Sequence, residues 1–202
     1  MLPVILQSIV LYWVTALDLL LILALLYAKF DDGKHRVISL GQILGSLGLI
    51  AASLLLAFVF HFVPEKRVLG LLGFIPIAFG VKYLVFGDDD CEKIDATIER
   101  RKNKNLLATV FMISFASCGA DNIGLFTPYF VTLKPFLVPV SVLTFFVNIL
   151  LLGFLGRALS RLRPLRALLE KYSRWLMAAV YIGLGLMILV ESKTFSLIGG
   201  WL

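Results

Sequence analysis

The chain has 202 residues, 60% of them hydrophobic and 16% charged, with a net charge of +6 and a mean hydropathy of +0.96. Soluble domains are about 45–50% apolar and about 25% charged, so the composition excludes a soluble globular protein and predicts an all-α integral membrane protein. The positive charge is no nucleic-acid footprint, because the basic residues collect in loops between apolar runs.

A helix needs about 20 apolar residues to cross a bilayer, and the chain supplies about six such runs. The first, about 4–27, stops at Lys29-Phe30-Asp31-Asp32-Gly33-Lys34. It carries no basic residue before Lys29 and no small-residue cleavage site, so it reads as a retained span rather than a secretory leader. The second, about 39–62, is closed by Pro64-Glu65-Lys66-Arg67. The third, about 68–86, contains Pro76 and ends in Gly87-Asp88-Asp89-Asp90-Cys91-Glu92. After a polar loop of about 88–105 comes the fourth, about 106–132, expected to be broken by Gly119, Gly124 and Pro128. The fifth is about 138–155 and the last about 175–195. Nothing is left over for a soluble domain, so residues 1–202 read as a single transmembrane domain.

The loops after the first, third and fifth runs hold most of the Lys and Arg, among them Lys29, Lys34, Arg36, Arg100, Arg101, Arg157 and Arg161. The opposite side has Lys66, Arg67, Lys134 and Lys193. The positive-inside rule then places those loops in the cytoplasm and both termini outside. A basic loop of this kind is a topology device or a lipid-headgroup contact.

Asp18 and Asp121 occupy comparable places in the first and fourth runs, and Ile77-Ala78-Phe79-Gly80-Val81 resembles Tyr181-Ile182-Gly183-Leu184-Gly185-Leu186. This divides the chain into repeat one, about 1–87, and repeat two, about 106–202. Three spans is an odd number, so tandem units lie inverted across the membrane, with a site expected at the midplane where helices break.

An isolated acid near the middle of a membrane helix costs about 2.5–3.5 kcal/mol on insertion scales, and such residues mark ion pathways. At helical spacing Ser117, Cys118, Asp121, Asn122 and Leu125 share one face. Carboxylate plus thiolate suits a borderline-to-soft divalent ion such as Zn²⁺ or Cd²⁺. Helix packing is the alternative, with Gly119 and Ala120 allowing close approach and Ser117 and Asn122 bonding across helices, but it leaves Asp121 unexplained; membrane cysteines are often small apolar residues. Asp18, with Tyr12 and Thr15 on neighbouring turns, is a ligand or a structural acid bonded to a neighbouring helix. Gln42 and Asn148 each complete a coordination shell or make an interhelical hydrogen bond, the latter preferred for Asn148. Lys82 reads as a snorkelling residue. Asp88, Asp89, Asp90, Cys91 and Glu92 form either a cytoplasmic metal entrance or a solvated acidic turn. His35 and His61 do not have zinc-site spacing, and no Walker-type loop, HExxH or paired CxxC is present, so nothing supports ATP-driven pumping or hydrolase chemistry. Cys91 and Cys118 are not expected to form a disulfide.

Three motifs carry a resemblance: Gly41-Gln42-Ile43-Leu44-Gly45; Gly70-Leu71-Leu72-Gly73-Phe74-Ile75-Pro76-Ile77 with Gly80 and Lys82; and Gly119-Ala120-Asp121-Asn122-Ile123-Gly124-Leu125-Phe126-Thr127-Pro128. In order and spacing, over nearly the whole chain, they resemble the cadmium-resistance transporter family (the CadD type) within the lysine-exporter superfamily. Family members tend to read Gly-Gly-Asp-Asn where this chain has Ala120, and Cys118 adds a thiol that favours a soft ion. The resemblance implies a six-helix, inverted-repeat exporter of Cd²⁺, with Zn²⁺ as a second substrate, in a bacterial plasma membrane. The metal would be cargo, no cofactor is implied, and the expected ligands are Asp18, Asp121, Asn122, Cys118 and Gln42. Lipid is the expected surrounding. A homodimer stays open, since the 16 phenylalanines and the glycines fit tight packing without naming a dimer face. The rivals are an exporter of a basic amino acid or other small cation, and a membrane scaffold without transport.

Overall fold

A computed structural model describes residues 1–61, 74–86, 105–116, 119–162, 172, 175, 178–179, 181–183 and 185–186, with the backbone only at 61, 76, 83, 86, 120 and 121. Every element among them is helical. The first apolar run is two helices, α1 (Leu2–Thr15) and α2 (Leu17–Lys29), bent by 55°. One continuous span was expected there, and neither Gly nor Pro marks the bend. At the bend the Thr15 hydroxyl donates to the Tyr12 carbonyl at 3.0 Å, the same oxygen that accepts the Ala16 N–H at 2.9 Å. Ala16 takes up the change of direction at φ −92°, ψ −1°.

A 3₁₀ turn, Asp32–Lys34, leads into α3 (His35–His61). His35 is spent on that turn: its Nε2 donates to the carbonyls of Tyr27 (3.1 Å) and Phe30 (3.0 Å), and Nδ1 lies 3.0 Å from Asp32. With 27 residues, α3 is about 40 Å long at the usual rise per residue, more than the hydrocarbon thickness. Then come α4 (Phe74–Phe86), α5 (Leu106–Ala116), α6 (Gly119–Thr132) and, after a second 3₁₀ turn (Pro135–Leu137), α7 (Val138–Leu159). The expected breaks at Gly124 and Pro128 do not occur: α6 runs through both. A membrane helix absorbs a proline when neighbouring groups satisfy the freed backbone. Gly124 serves a close approach, since a Cβ there would sit 2.9 Å from Ile75 Cγ2 and 3.0 Å from Phe79 Cε2 on α4.

Helix α3 lies along both α5 and α6, α7 lies along both α1 and α2, and α3 meets α7. Glycines set the first of these contacts. A Cβ on Gly41 would lie 2.8 Å from Val110 Cβ, and on Gly45 2.6 Å from Ser114 Cβ. Removing side chains lets membrane helices approach to backbone contact. Gly156 does the same for α7 against Leu23, and Gly80 of α4 for the last run, where Ile182 Cγ1 and the Ala178 carbonyl fill the space.

Among the described residues α3 and α7, each with its preceding turn, are long and apolar enough to cross a membrane, and the bent α1–α2 pair passes the same test when taken as one span. Runs three and six of the expected six fall partly outside the described residues, as does part of the fourth. On α7 Leu143, Val147 and Phe154 stand exposed, a surface suited to lipid.

Candidate functional site

Tyr12, Thr15, Ala16 and Leu19 line the inside of the α1–α2 bend, facing Ser46, Leu49 and Ile50 of α3 and Asn122 and Phe126 of α6. Between them is a cavity of about 10 Å³, room for one water-sized particle. It sits where one helix has ended and another begun, and helix termini leave backbone groups without intrahelical partners.

Asn122 is the polar side chain that stands out there. It is 5% exposed, and its Oδ1 has no hydrogen-bond partner among the described residues. An orphaned buried acceptor costs about 1–3 kcal/mol. Thr15 and Ser46 bring hydroxyl oxygens to the same walls.

Asp18 does not line the cavity. It is the second residue of α2, two residues past the bend, and only 4% exposed. Gln42 is also buried, one turn from Ser46: its Nε2 donates to Ser46 Oγ (3.4 Å) and the Ile149 carbonyl (3.3 Å). Its Oε1 has no hydrogen-bond partner among the described residues and rests where a Cβ on Gly153 would come within 3.1 Å. Gln42 therefore backs the cavity wall rather than forming it.

Asp121 is the third residue of α6, directly before Asn122, and its side chain lies outside the description. Ser117, Cys118 and the segment Asp88, Asp89, Asp90, Cys91 and Glu92 also lie outside the described residues. Of the predicted face on the fourth run, Asn122 and Leu125 are placed, both buried. Among the described residues no three His, Cys, Asp or Glu side chains converge on a point.

Asn148 takes the interhelical role: Trp13 Nε1 donates to its Oδ1 at 2.8 Å, and its Nδ2 donates to the Thr144 carbonyl at 2.7 Å. Lys82 is exposed, with Nζ 5.9 Å from the Phe79 ring centroid, in keeping with a snorkelling stem. Sequence reasoning missed Ser46, although it stands one turn after Gln42 on the same face. It also missed Ser8, Phe126, Tyr129, Ser141 and Phe145, whose pattern emerges only once α1, α6 and α7 are brought together.

A family model described as a cadmium resistance transporter matches residues 12–200. The chain belongs to the cadmium resistance transporter family. No curated protein and no solved structure matches it. The matched segment of this cadmium resistance transporter takes in every residue lining the cavity, as well as Asp18, Gln42, Cys118 and Asp121. It starts at Tyr12, so the first turns of α1 lie outside it.

Proposed function

We propose that this transporter exports Cd²⁺, with Zn²⁺ as a second substrate, across a bacterial plasma membrane by metal/proton exchange. Asp18 and Asp121 carry the charge that holds the ion, Asn122 is a further ligand, and Gln42 and Cys118 complete or support the shell. The observation that carries this reading is the water-sized cavity at the α1–α2 bend, walled by Asn122, whose Oδ1 has no partner among the described residues, with the buried Asp18 two residues from Ala16. A cavity of about 10 Å³ suits a bare ion and leaves no room for a basic amino acid.

The packing supports two inverted repeats of three spans. Exchanging the first run with the fourth and the second with the fifth turns the contacts of α3 with α5 and α6 into those of α7 with α1 and α2. The third and sixth runs meet each other at Gly80 and Ile182, with Phe79 and Tyr181 ring centroids 6.4 Å apart. A pseudo-two-fold axis brings such pairs together, and the bend before Asp18 then has its counterpart near Asp121. With both termini outside, cytoplasmic metal reaches the site from the basic-loop side.

Metal binding requires deprotonated ligands, so protons and metal compete for the same groups. A bound cation lowers a carboxylate's proton affinity and burial raises it. The aspartates accordingly release metal outward and return protonated. The test is Cd²⁺ and Zn²⁺ tolerance of a sensitive bacterium expressing the wild type, Asp18→Asn, Asp121→Asn or Cys118→Ser at matched membrane levels. Loss of protection with either Asn variant is expected, and full protection in both would remove the aspartates from the mechanism. Flux into everted vesicles that ignores a collapsed proton gradient would remove the exchange.

A further inference from the structure

Three helices bring the same spacing to one face: Ser8, Tyr12 and Thr15 on α1; Asn122, Phe126 and Tyr129 on α6; Ser141, Phe145 and Asn148 on α7. Residues at i, i+4 and i+7 stack along one side of a helix. Because α6 runs opposite to α1 and α7, the three rows form successive levels. At the bend, Thr15 and Asn122 wall the cavity. One level toward the end that holds residue 1 and the Pro135–Leu137 turn, the Phe145 ring lies 5.9 Å from Tyr12 and 4.9 Å from Phe126, centroid to centroid. Phe130 closes its other side at 5.6 Å, edge to face. One level further, Ser8 Oγ lies 2.7 Å from Tyr129 OH and 2.9 Å from Ser141 Oγ. Tyr129 OH also donates to the Val4 carbonyl at 3.4 Å. Ser8, Ser141 and Phe145 are fully buried.

We propose that these two levels are the gate between the ion cavity and that end of the protein: Phe145 is the plug, and the Ser8–Tyr129–Ser141 hydroxyls are the latch. This rests on the cavity being the transport site. The division of labour follows from the chemistry of each level. An aromatic constriction stops a hydrated ion because it offers nothing to replace the ion's water. The hydroxyls join three helices that must part for the cavity to open on this side. Each is both donor and acceptor, and water replaces the lost partners on opening, so the latch holds without locking. A carboxylate there would trap the cation on its way out; a purely apolar level would not fix the register of α1 against α6 and α7. The plug and the latch share Tyr129, whose ring centroid is 6.1 Å from that of Phe145. Breaking the latch therefore withdraws support from the plug.

The test reads access and not flux, so it stands apart from the transport assays. Leu49→Cys, in the cavity wall, is placed in a chain carrying Cys91→Ser and Cys118→Ser. Its labelling by a membrane-impermeant methanethiosulfonate is timed from each face, in intact cells and in everted vesicles. Tyr129→Phe is expected to speed labelling from the terminus-bearing face about fivefold, the worth of about one hydrogen bond. Phe145→Ala should do so about tenfold or more by removing the constriction. In both, the rate from the opposite face stays unchanged, and Phe145→Leu, which refills the gap, returns the rate to that of the parent. An unchanged rate from that face in both variants would overturn the proposal. So would an equal rise from both faces, which marks a loosened bundle.

Discussion

Placing a methyl group on Gly45 tests whether the α3–α5 contact holds the cavity wall in place. In Gly45→Ala the new Cβ would lie 2.6 Å from Ser114 Cβ, 2.9 Å from the Phe111 carbonyl oxygen and 3.3 Å from the Phe115 nitrogen. Carbon contacts settle at about 3.5–4.0 Å, so the helices must separate by about 1 Å. Two of those atoms belong to the α5 backbone and cannot rotate away. Overpacking of this kind costs about 1–3 kcal/mol, and the better helix propensity of Ala returns up to about 1 kcal/mol. A net loss of about 1–2 kcal/mol corresponds to a melting temperature lower by about 3–6 °C for a chain of this size. The assay is thermal unfolding of detergent-solubilised protein, with Gly33→Ala as control, since nothing lies within 4 Å of a Cβ there. Gly48→Ala should fall between, because its neighbours are Phe115 ring atoms at 3.1 and 3.2 Å that can yield. Cadmium tolerance should drop with Gly45→Ala as well, because Ser46 and Leu49 move with α3. A Gly45→Ala protein that melts with the wild type or the Gly33→Ala control would refute the close-packing argument.

Asn122→Leu removes an orphaned acceptor and fills the cavity; cadmium protection should be lost while the melting temperature holds or rises, and a fall in both would make Asn122 structural. Asn148→Leu strands the Trp13 donor, so stability should fall by about 1–3 kcal/mol. Its ratio of cadmium to zinc protection at matched expression should stay unchanged, and an altered ratio would return Asn148 to the metal shell. Asp32→Asn removes the charge from the contact between Arg157 Nη2 and Asp32 Oδ1 at 3.3 Å, whose side chains are 48% and 77% exposed, and from the His35 Nδ1 contact at 3.0 Å on the same oxygen. Exposed pairs are worth about 0–1 kcal/mol, so the melting curve should barely move, and a large drop would mean that the Asp32–Lys34 turn is a structural clasp.

The membrane character and the helical class were legible because apolar runs separated by basic loops admit no other packing. The preferred role of Asn148 was legible too, since a lone amide in an apolar helix must find a partner and Trp13 supplies one. The Gly41–Gly45 motif was legible as a signature but not in its use: its glycines seat α5, while Gln42 between them turns toward α7. Pro128 misled, because helix-breaking chemistry in water is tolerated within a packed membrane bundle. The bend at Ala16 escaped for the opposite reason: neither Gly nor Pro marks it in the sequence. Asp18 and Asp121 stand out in the sequence by their cost in lipid, but the cavity beside Asn122 depends on four helices meeting, which no single stretch of sequence encodes.

A bend without proline behaves differently from one made by proline. A proline ring deforms its helix permanently, whereas at Ala16 every backbone donor is present and the added Thr15 bond to the Tyr12 carbonyl is released by a single χ1 rotation. The α1–α2 joint is therefore an articulation that needs no missing backbone donor. Straightening it would swing the half-helix bearing Ser8 and Tyr12 relative to the one bearing Asp18. The same economy leaves it open to single substitutions: exchanging Thr15 for valine keeps the shape of the side chain and removes the hydroxyl bond to the Tyr12 carbonyl in one step.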